Sequence, residues 1–175
     1  VAALLWERIS RFLPKDELAA RQQGKCKHIV GLNERLRFLR YDPGDFFAPH
    51  FDGSFMRGAE AEARQFERSH MTLLLYLNEG FSGGQTCFVP EQCSTNLFKQ
   101  GFGSGMVAIT PKPGLVLLFD HDIYHAGAAL TAGRKYVLRM DVMFSAHEGH
   151  EYRLEGIALD REARCPWLVQ GHAEQ

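Results

Sequence analysis

The first part of the chain carries apolar residues at helical spacing. Between positions 4 and 13 they recur every three or four residues, which predicts a helix that Pro14 ends. A second short helix is predicted over residues 16–23, where Asp16 can cap the start and Gly24 the end. Both helices are expected to support a fold whose main part lies further along the chain.

From about residue 35 the pattern changes to short apolar or alternating runs, separated by turns that contain Gly and Pro. The run HMTLLLYLN, residues 70–78, is apolar on both faces, as in a strand that is buried from both sides. Helices first and many short strands later favour a mainly-β fold, an antiparallel jelly roll or related barrel with N-terminal supporting helices. The other predicted strands are RLRFLRY, FFAPHFD, GGQTCFV, MVAIT, GLVLLF and KYVLRMDVMF.

Length and composition indicate one domain with a full core. The 175 residues are 45% hydrophobic and 23% charged, as in soluble globular proteins. We expect a single domain in which residues 1–34 form the supporting helices, residues 35–144 the β core and residues 145–175 a C-terminal extension.

Charge and hydropathy bear on partners and location. A net charge of −1 creates no field that favours nucleic acid, and no apolar run approaches the roughly 20 residues of a membrane helix. The first stretch, VAALLWERISRFLP, carries charges within its apolar pattern and lacks a cleavage site, so we do not interpret it as a signal peptide. We expect a cytoplasmic protein without nucleic acid or membrane as a partner, and further residues before Val1 in the full-length chain.

The four cysteines, Cys26, Cys87, Cys93 and Cys165, do not have the spacing of a zinc ribbon. A disulfide between Cys87 and Cys93 is one alternative. We expect reduced thiols, because a chain of this length can form a core without covalent links.

Two segments carry candidate metal ligands. His50 and Asp52 are separated by one residue, so on a strand their side chains project from the same face. Two histidines and one carboxylate suit a non-haem Fe(II) that keeps open coordination positions, and this pair provides two of the three ligands. Alone the pair is weak evidence, since a surface pair has the same spacing. The third ligand must come from elsewhere, and the two candidates are His121 and His125, four residues apart.

A fixed order of short motifs lies between about Arg37 and Phe144. It consists of Tyr-x-Pro-Gly, His-x-Asp, the TLLLYLN strand, Gly-Gly-x-Thr, a Pro-x-x-Gly turn, a distal histidine, and a basic residue that opens a strand. In this order the chain resembles the catalytic domain of the prolyl 4-hydroxylase-type Fe(II)/2-oxoglutarate-dependent dioxygenases. The resemblance implies a double-stranded β-helix (jelly roll) that binds Fe(II) and 2-oxoglutarate.

The resemblance also implies an activity. Such an oxygenase uses O₂ and 2-oxoglutarate to hydroxylate its substrate and releases succinate and CO₂, with ascorbate as a candidate reductant. The family acts on peptidyl proline or on small molecules, so the partner is an unidentified protein or small-molecule substrate. Two other functions stay open: a jelly-roll metal-binding or sensing domain without turnover, and a zinc hydrolase that uses the same two histidines and aspartate with a general base near the metal-bound water.

The family's spacing selects the third ligand. A Lys or Arg stands nine or ten residues after the distal histidine in the family, where it pairs with the far carboxylate of 2-oxoglutarate. His125 precedes Arg134 by nine residues and Lys135 by ten, so the resemblance implies His125 as the third ligand after His50 and Asp52. We expect His121 to be a solvated loop residue that hydrogen-bonds a neighbouring aspartate.

The two adjacent cations face opposite sides of the last predicted strand. Lys135 shares its face with Arg139 and Asp141, a polar set that suits a barrel interior where buried charges find partners. Arg134 shares its face with apolar residues such as Leu138, which can pack against the outer helices. We therefore expect Lys135 to anchor 2-oxoglutarate, with Arg134 as the alternative.

Other side chains are assigned to the cosubstrate pocket by the resemblance: Tyr76, Tyr41, Thr86 and Arg139. Tyr76 has an alternative role as a core tyrosine whose hydroxyl is paired, and Arg139 as the partner of Asp141 or another acid. The charged segment 54–69 is either a solvated loop or a mobile lid, and we expect it to form the rim of the site together with residues 91–105.

Overall fold

The structure, a computed structural model, describes residues 1–13, 28–89, 106–145 and 167–170. Helix α1 spans Ala2–Ile9 and continues into a 3-10 turn at Ser10–Phe12, which confirms the first predicted helix. The second predicted helix and the 91–105 part of the expected rim lie outside the described residues. None of the described helices is long and apolar enough to cross a membrane.

The described residues contain twelve strands, and every strand pair is antiparallel. Each of the six other runs predicted as strands overlaps with at least one of them. The strands are β1 His28–Leu32, β2 Arg37–Tyr41, β3 Phe47–His50, β4 Arg68–Tyr76, β5 Ser82–Gly83, β6 Thr86–Phe88, β7 Val107–Ile109, β8 Leu115–Asp120, β9 His125–Gly127, β10 Leu130–Ala132, β11 Lys135–Ser145 and β12 Trp167–Gln170.

Two curled sheets make up most of the fold. The larger has the order β1-β11-β4-β8-β12, and β2 pairs with the first half of β11. The smaller has the order β3-β9-β6-β7, and β5 and β10 form a short pair of their own. The two sheets with a helix outside them confirm the mainly-β, jelly-roll expectation.

One face of the larger sheet packs against helix α1, and the other faces the smaller sheet. On one face a cluster that includes Leu73, Leu138 and Met140 packs against helix α1. On the other, a cluster that includes Leu117 and Val137 fills the space towards the smaller sheet. Strand β4 lies in the middle of the larger sheet, so its apolar residues on both faces find partners, as the sequence predicted.

Two strands of the larger sheet were not predicted. Strand β1, His28–Leu32, lies in the segment expected to hold supporting helices, yet it pairs with the end of β11, so the β structure begins before residue 35. A register shift between Ile29 and Gly31 breaks the alternation by which a strand is recognised in sequence. Strand β12, Trp167–Gln170, pairs with β8 from within the expected C-terminal extension.

Segment 54–69 joins β3 to β4 and is held by its own bonds. Met56 forms an isolated bridge with Arg68, and the Arg57 N–H donates to the Glu67 carbonyl at 2.9 Å. The Arg57 side chain pairs with Glu67 at 2.9 Å and with Glu34 at 2.6 Å, which ties the segment to the loop after β1. These bonds make it more than a solvated loop, and its closure over a site stays a prediction.

Candidate active site

Three side chains with metal-ligand chemistry meet at one edge of the smaller sheet. His50 ends β3, Asp52 follows two residues later, and His125 begins β9. His50 and His125 are Cα partners in the pairing of these strands. One ligand atom from each of the three residues lies within 4.8 Å of the others, so the group could hold a metal ion. These are the three residues predicted from the sequence as ligands.

A hydrogen bond from Nδ1 orients each imidazole. His50 Nδ1 lies 2.8 Å from the Ala48 carbonyl, and His125 Nδ1 lies 2.9 Å from the Ile123 carbonyl. A carbonyl only accepts hydrogen bonds, so Nδ1 carries the proton and Nε2 keeps its lone pair. The Nε2 atoms of His50 and His125 lie 3.4 and 3.7 Å from carboxylate oxygens of Asp52. Burial lowers the pKa of His125, which favours the neutral imidazole that a metal binds.

Asp52 is held from several directions, and its side chain is 3% exposed. Thr72 Oγ1 donates to Oδ2 at 2.5 Å, and Arg139 Nη2 lies 2.7 Å from Oδ1. Its backbone N–H donates to the His121 carbonyl at 3.0 Å. Burial alone would raise the pKa of Asp52, but contacts with His50 and Thr72 and the charge of Arg139 hold it well below its ordinary value. The carboxylate is therefore ionised and fixed.

A cavity with about 470 Å³ of empty space, part of it open to solvent, lies beside these three residues. Its wall combines apolar side chains from both sheets with a small number of polar groups, as is typical of small-molecule sites. Four of the five residues assigned to the cosubstrate pocket line it: Tyr41, Thr86, Lys135 and Arg139.

Lys135 is a buried cation on the cavity wall, and its residue is 4% exposed. Nζ donates to the Gly84 carbonyl at 2.6 Å and lies 4.9 Å from the ring centroid of Tyr41. Burial lowers the pKa of Lys135 to about 8. No acidic side chain within the described ranges forms an ion pair with it. A buried ammonium group without an anion is costly, so this wall suits an anionic ligand.

Gly84 makes the position of Lys135 sterically accessible. Its φ is +70°, in the left-handed region, and a Cβ there would lie 3.1 Å from Lys135 Cδ and 3.0 Å from Leu130 Cδ1. A side chain at residue 84 would therefore meet both backbone strain and the lysine stem. The second glycine of the Gly-Gly-x-Thr motif thus has a direct structural connection with the cation.

Arg134 lies outside the cavity. Its side chain is 52% exposed, and its Nε donates to Asp42 Oδ1 at 2.7 Å. Leu138 and Met140, which share its face of β11, belong to the cluster under helix α1. The alternation of β11 therefore places Lys135 on the inside and Arg134 on the outside, as the sequence favoured.

Tyr76 and Thr86 form a buried pair at the back of the cavity wall. Tyr76 is 1% exposed, and its hydroxyl lies 2.7 Å from Thr86 Oγ1. Burial raises the pKa of Tyr76, so the phenol stays protonated. Thr86 lines the cavity, whereas Tyr76 packs in the core cluster behind it. Tyr76 therefore does not line the cavity itself and is connected with it only by its hydrogen bond to Thr86.

His121 is not the solvated loop residue that the sequence analysis expected. It is 8% exposed, because the turn after β8 lies between β4 and the segment that carries Asp52. Its N–H donates to the His70 carbonyl at 2.8 Å, and its own carbonyl accepts from the Asp52 N–H. Burial lowers the pKa of the His121 imidazole. The residue helps to place Asp52 through its backbone, and it is not part of the three-residue group.

A group of aromatic side chains, which was not predicted from the sequence, lies near the three residues. The Phe51 and Tyr124 rings lie 4.8 Å apart between centroids, and the Phe47 ring lies 4.3 Å from that of His50. Phe47 and Phe51 are 46% and 48% exposed, and Phe47 lines the cavity. The available signal was the three phenylalanines in FFAPHF next to the His-x-Asp motif. Exposed aromatic side chains beside a cavity are typical of contact surfaces for a substrate.

The free thiol of Cys87 is buried on β6, and burial raises its pKa to about 11. This agrees with the expectation of reduced thiols at that position. The other three cysteines lie outside the described residues.

A sequence model of the 2OG-Fe(II) oxygenase superfamily matches residues 36–140, more than half of the chain. The match contains the three candidate ligands and all five residues assigned to the cosubstrate pocket. No curated protein matches the chain.

Several solved structures are similar to this one. An oxidoreductase of the 2OG-Fe(II) oxygenase family from Burkholderia pseudomallei has a TM-score of 0.44 and 17% identity, over 69% of this chain and 48% of that chain. A Pseudomonas putida prolyl-4-hydroxylase has a TM-score of 0.42 and 18% identity, over 65% and 52%. The viral collagen prolyl hydroxylase from Paramecium Bursaria Chlorella virus-1 has a TM-score of 0.42 and 21% identity, over 73% and 66%. The chain thus spans about half the length of the first two.

Proposed function

The chain belongs to the 2OG-Fe(II) oxygenase superfamily, and we propose that it is an Fe(II)- and 2-oxoglutarate-dependent dioxygenase that hydroxylates a peptidyl proline or a small molecule. One observation carries the proposal: an oriented group of two imidazoles and one carboxylate shares a cavity with a buried lysine. The products besides the hydroxylated substrate would be succinate and CO₂.

His50, Asp52 and His125 are the proposed ligands of Fe(II). The donor set fits this metal, because both Nε2 atoms carry lone pairs, the carboxylate is ionised, and three protein ligands leave positions for a cosubstrate and O₂. Bound Fe(II) with 2-oxoglutarate would supply the oxidising chemistry, while the protein supplies position and surroundings. The Nδ1 hydrogen bonds of both imidazoles fix the ring planes before any ligand arrives.

Lys135 is the proposed anchor for the far carboxylate of 2-oxoglutarate. A charge-assisted hydrogen bond to its ammonium group would contribute about 1.5–3 kcal/mol. Tyr41 and Thr86 line the same wall, and the Tyr76 hydroxyl fixes the direction in which the Thr86 hydroxyl can point. Arg139 is the proposed contact at the metal end of the cosubstrate, since it also lines the cavity next to Asp52.

Apolar side chains lower the polarity of the cavity around these groups. The cavity wall also includes Leu39, Leu74, Phe119 and Val137. The Phe119 ring lies 4.6 Å from the ring of His125, on the side of the core. An ion pair formed within such walls is screened less than one on the surface, which strengthens the anchoring of a dicarboxylate.

The zinc-hydrolase alternative is less well supported. It requires a general base close to a metal-bound water. In the part of the chain that the structure describes, Asp52 is the only carboxylate on the cavity wall, and it is already one of the three candidate ligands. A hydrolase would also leave the buried Lys135 without a role. A non-catalytic sensing domain would share the whole site, so turnover must separate it from an enzyme.

The experiment is a turnover assay with purified protein, Fe(II), 2-oxoglutarate, O₂ and ascorbate. We expect slow succinate formation alone and faster formation when a substrate is added from a proline-containing peptide library or a metabolite library. The Asp52→Ala variant serves as the control for free iron. If wild type and Asp52→Ala produce succinate at the same rate, under every substrate pool, the proposal is wrong.

A further inference from the structure

Arg139 is the second cation on the cavity wall, four residues after Lys135 on β11. Its closest acidic partner is not on its own strand. Nη2 lies 2.7 Å from Asp52 Oδ1, and the side chains of the two residues are 21% and 3% exposed. Asp141, the partner considered from the sequence, is instead bound by Arg37 at 3.1 Å. The guanidinium of Arg139 is therefore directed towards a proposed metal ligand.

The contact between Arg139 and Asp52 holds a carboxylate whose residue lies beyond the end of its strand. Strand β3 ends at His50, so strand pairing does not fix the aspartate. Thr72 donates to Oδ2 from β4 and Arg139 binds Oδ1 from β11, two neighbouring strands at the centre of the larger sheet. Each carboxylate oxygen thus has one donor from a rigid part of the fold. The same two oxygens, Oδ1 and Oδ2, lie 3.4 and 3.7 Å from the Nε2 atoms of His50 and His125.

We propose that Arg139 is a positioning residue for Asp52, which holds the carboxylate so that it faces the Nε2 atoms of His50 and His125. The inference rests on the proposed function only in assigning a divalent metal to the three residues. In this role Arg139 affects metal binding even when 2-oxoglutarate is absent, whereas Lys135 is proposed to affect only the binding of 2-oxoglutarate.

Two effects of Arg139 on a bound metal oppose each other. Its positive charge repels a divalent cation, so its removal would tighten metal binding. Its hydrogen bond keeps the carboxylate in place, so its removal would weaken metal binding by about 10- to 100-fold, the usual effect of losing a partner of a metal ligand. The repulsion is reduced because the guanidinium is already paired with Asp52, and orientation therefore decides the sign.

The test is a titration of the full chain with Co²⁺ in the absence of 2-oxoglutarate, followed by the visible absorption of the bound ion. We expect Arg139→Met, which keeps an unbranched apolar stem but has no hydrogen-bond donor, to raise the Kd for Co²⁺ about 10- to 100-fold and to change the absorption bands. Arg139→Lys keeps a charged donor and should restore most of the affinity and the wild-type bands. Lys135→Met is the matched control, which removes a cavity cation on the same face of β11, and it should not raise the Kd.

The outcomes separate this inference from the proposed function. If Arg139→Met binds Co²⁺ as tightly as wild type, or more tightly, with unchanged bands, Arg139 does not position Asp52. If wild type binds no better than Asp52→Ala, the metal site itself is wrong, and the inference with it. Thermal unfolding of each variant shows whether it folds. Should Arg139→Met not fold, Arg139→Gln replaces it, because its shorter side chain cannot reach Oδ1, and the same weakening is expected.

Discussion

His50 and His125 lie opposite each other across the pairing of β3 and β9, with 4.3 Å between their ring centroids. Residues that far apart in sequence are brought together only when both strands have formed. Their Nδ1 atoms donate to carbonyls two residues earlier on their own segments, so each ring direction is set locally. The distance between the rings is therefore a property of the sheet, and the direction of each ring a property of its segment.

The first prediction concerns the choice between the two downstream histidines. His125→Ala should abolish succinate formation and Co²⁺ binding, because it removes one of the three proposed ligands. His121→Ala should retain metal binding, since residue 121 contributes to the site through its carbonyl. It should lower the melting temperature, because the imidazole is buried. Loss of metal binding in a folded His121→Ala variant together with retention in His125→Ala would contradict the assignment.

The second prediction concerns the two adjacent cations. Lys135→Ala should raise the KM for 2-oxoglutarate roughly 10- to 200-fold, as expected when a charge-assisted hydrogen bond of about 1.5–3 kcal/mol is lost. Arg134→Ala should change it little, because that guanidinium pairs with Asp42 on the outer face. Initial succinate rates over a range of 2-oxoglutarate concentrations measure both. If only Arg134→Ala raises the KM strongly, then Arg134 and not Lys135 faces the cavity, and the strand is shifted by one residue from its assigned register.

The third prediction concerns pH. Burial lowers the pKa of Lys135 from 10.5 to about 8 in the free protein, and a bound carboxylate favours the charged form. Above pH 8, binding of 2-oxoglutarate should therefore require uptake of a proton, and the affinity should fall by up to about tenfold per pH unit. Lys135→Arg stays charged throughout and should show little of this fall. Calorimetric titrations of 2-oxoglutarate at pH 7 and pH 9.5, with a redox-inert divalent metal present, measure this change in affinity. If the affinity of Lys135→Arg falls equally steeply, the titrating group is not Lys135.

The fourth prediction uses two glycines with similar backbone conformation. Gly84→Ala should raise the KM for 2-oxoglutarate, because its Cβ would lie 3.1 Å from the Lys135 stem. Gly80→Ala has comparable strain at a φ of +83°, but its Cβ would meet no atom within 4 Å. Both variants should lose stability, and only the first should lose cosubstrate affinity, by several-fold. Equal KM values for the two variants would show that the close approach of residue 84 is unimportant.

The fifth prediction concerns the aromatic side chains beside the metal ligands. Once a substrate has been identified, Phe51→Ala should raise its KM by roughly 2- to 10-fold, the effect of losing an aromatic contact of about 0.5–1.5 kcal/mol. The KM for 2-oxoglutarate should stay the same. Phe38→Ala is the control, because Phe38 is 71% exposed and alternates with Leu39 and Tyr41, which line the cavity. If both substitutions raise the KM for the substrate equally, the aromatic group is not part of the substrate-binding surface.

The parts of the site that the sequence predicted depend on short-range regularity. The alternation of β11 was sufficient to place Lys135 inside and Arg134 outside. The predicted same-face relation of His50 and Asp52 agrees with their positions, although β3 ends at His50 and the aspartate lies beyond it. The resemblance in motif order, which the family match later supported, then connected this pair with His125.

The parts that the sequence did not predict depend on contacts between distant residues. Arg139 pairs with Asp52, and not Asp141, because Arg37 on the neighbouring strand already binds Asp141. His121 is buried because its backbone bridges His70 and Asp52. Strands β9 and β10 have three residues each, too few for a period to be recognised.

The two sheets carry different halves of the proposed chemistry. The smaller sheet and the loop after β3 provide the metal ligands, whereas the larger sheet provides Lys135 and Arg139. The distance between the proposed metal ligands and Lys135 is then set by how the core packs between the two sheets. Shortening a side chain in that layer, as in Leu117→Ala, should lower the affinity for the five-carbon dicarboxylate 2-oxoglutarate without changing any proposed metal ligand. Residues of this layer are therefore expected to decide how long a dicarboxylate the proposed site accepts.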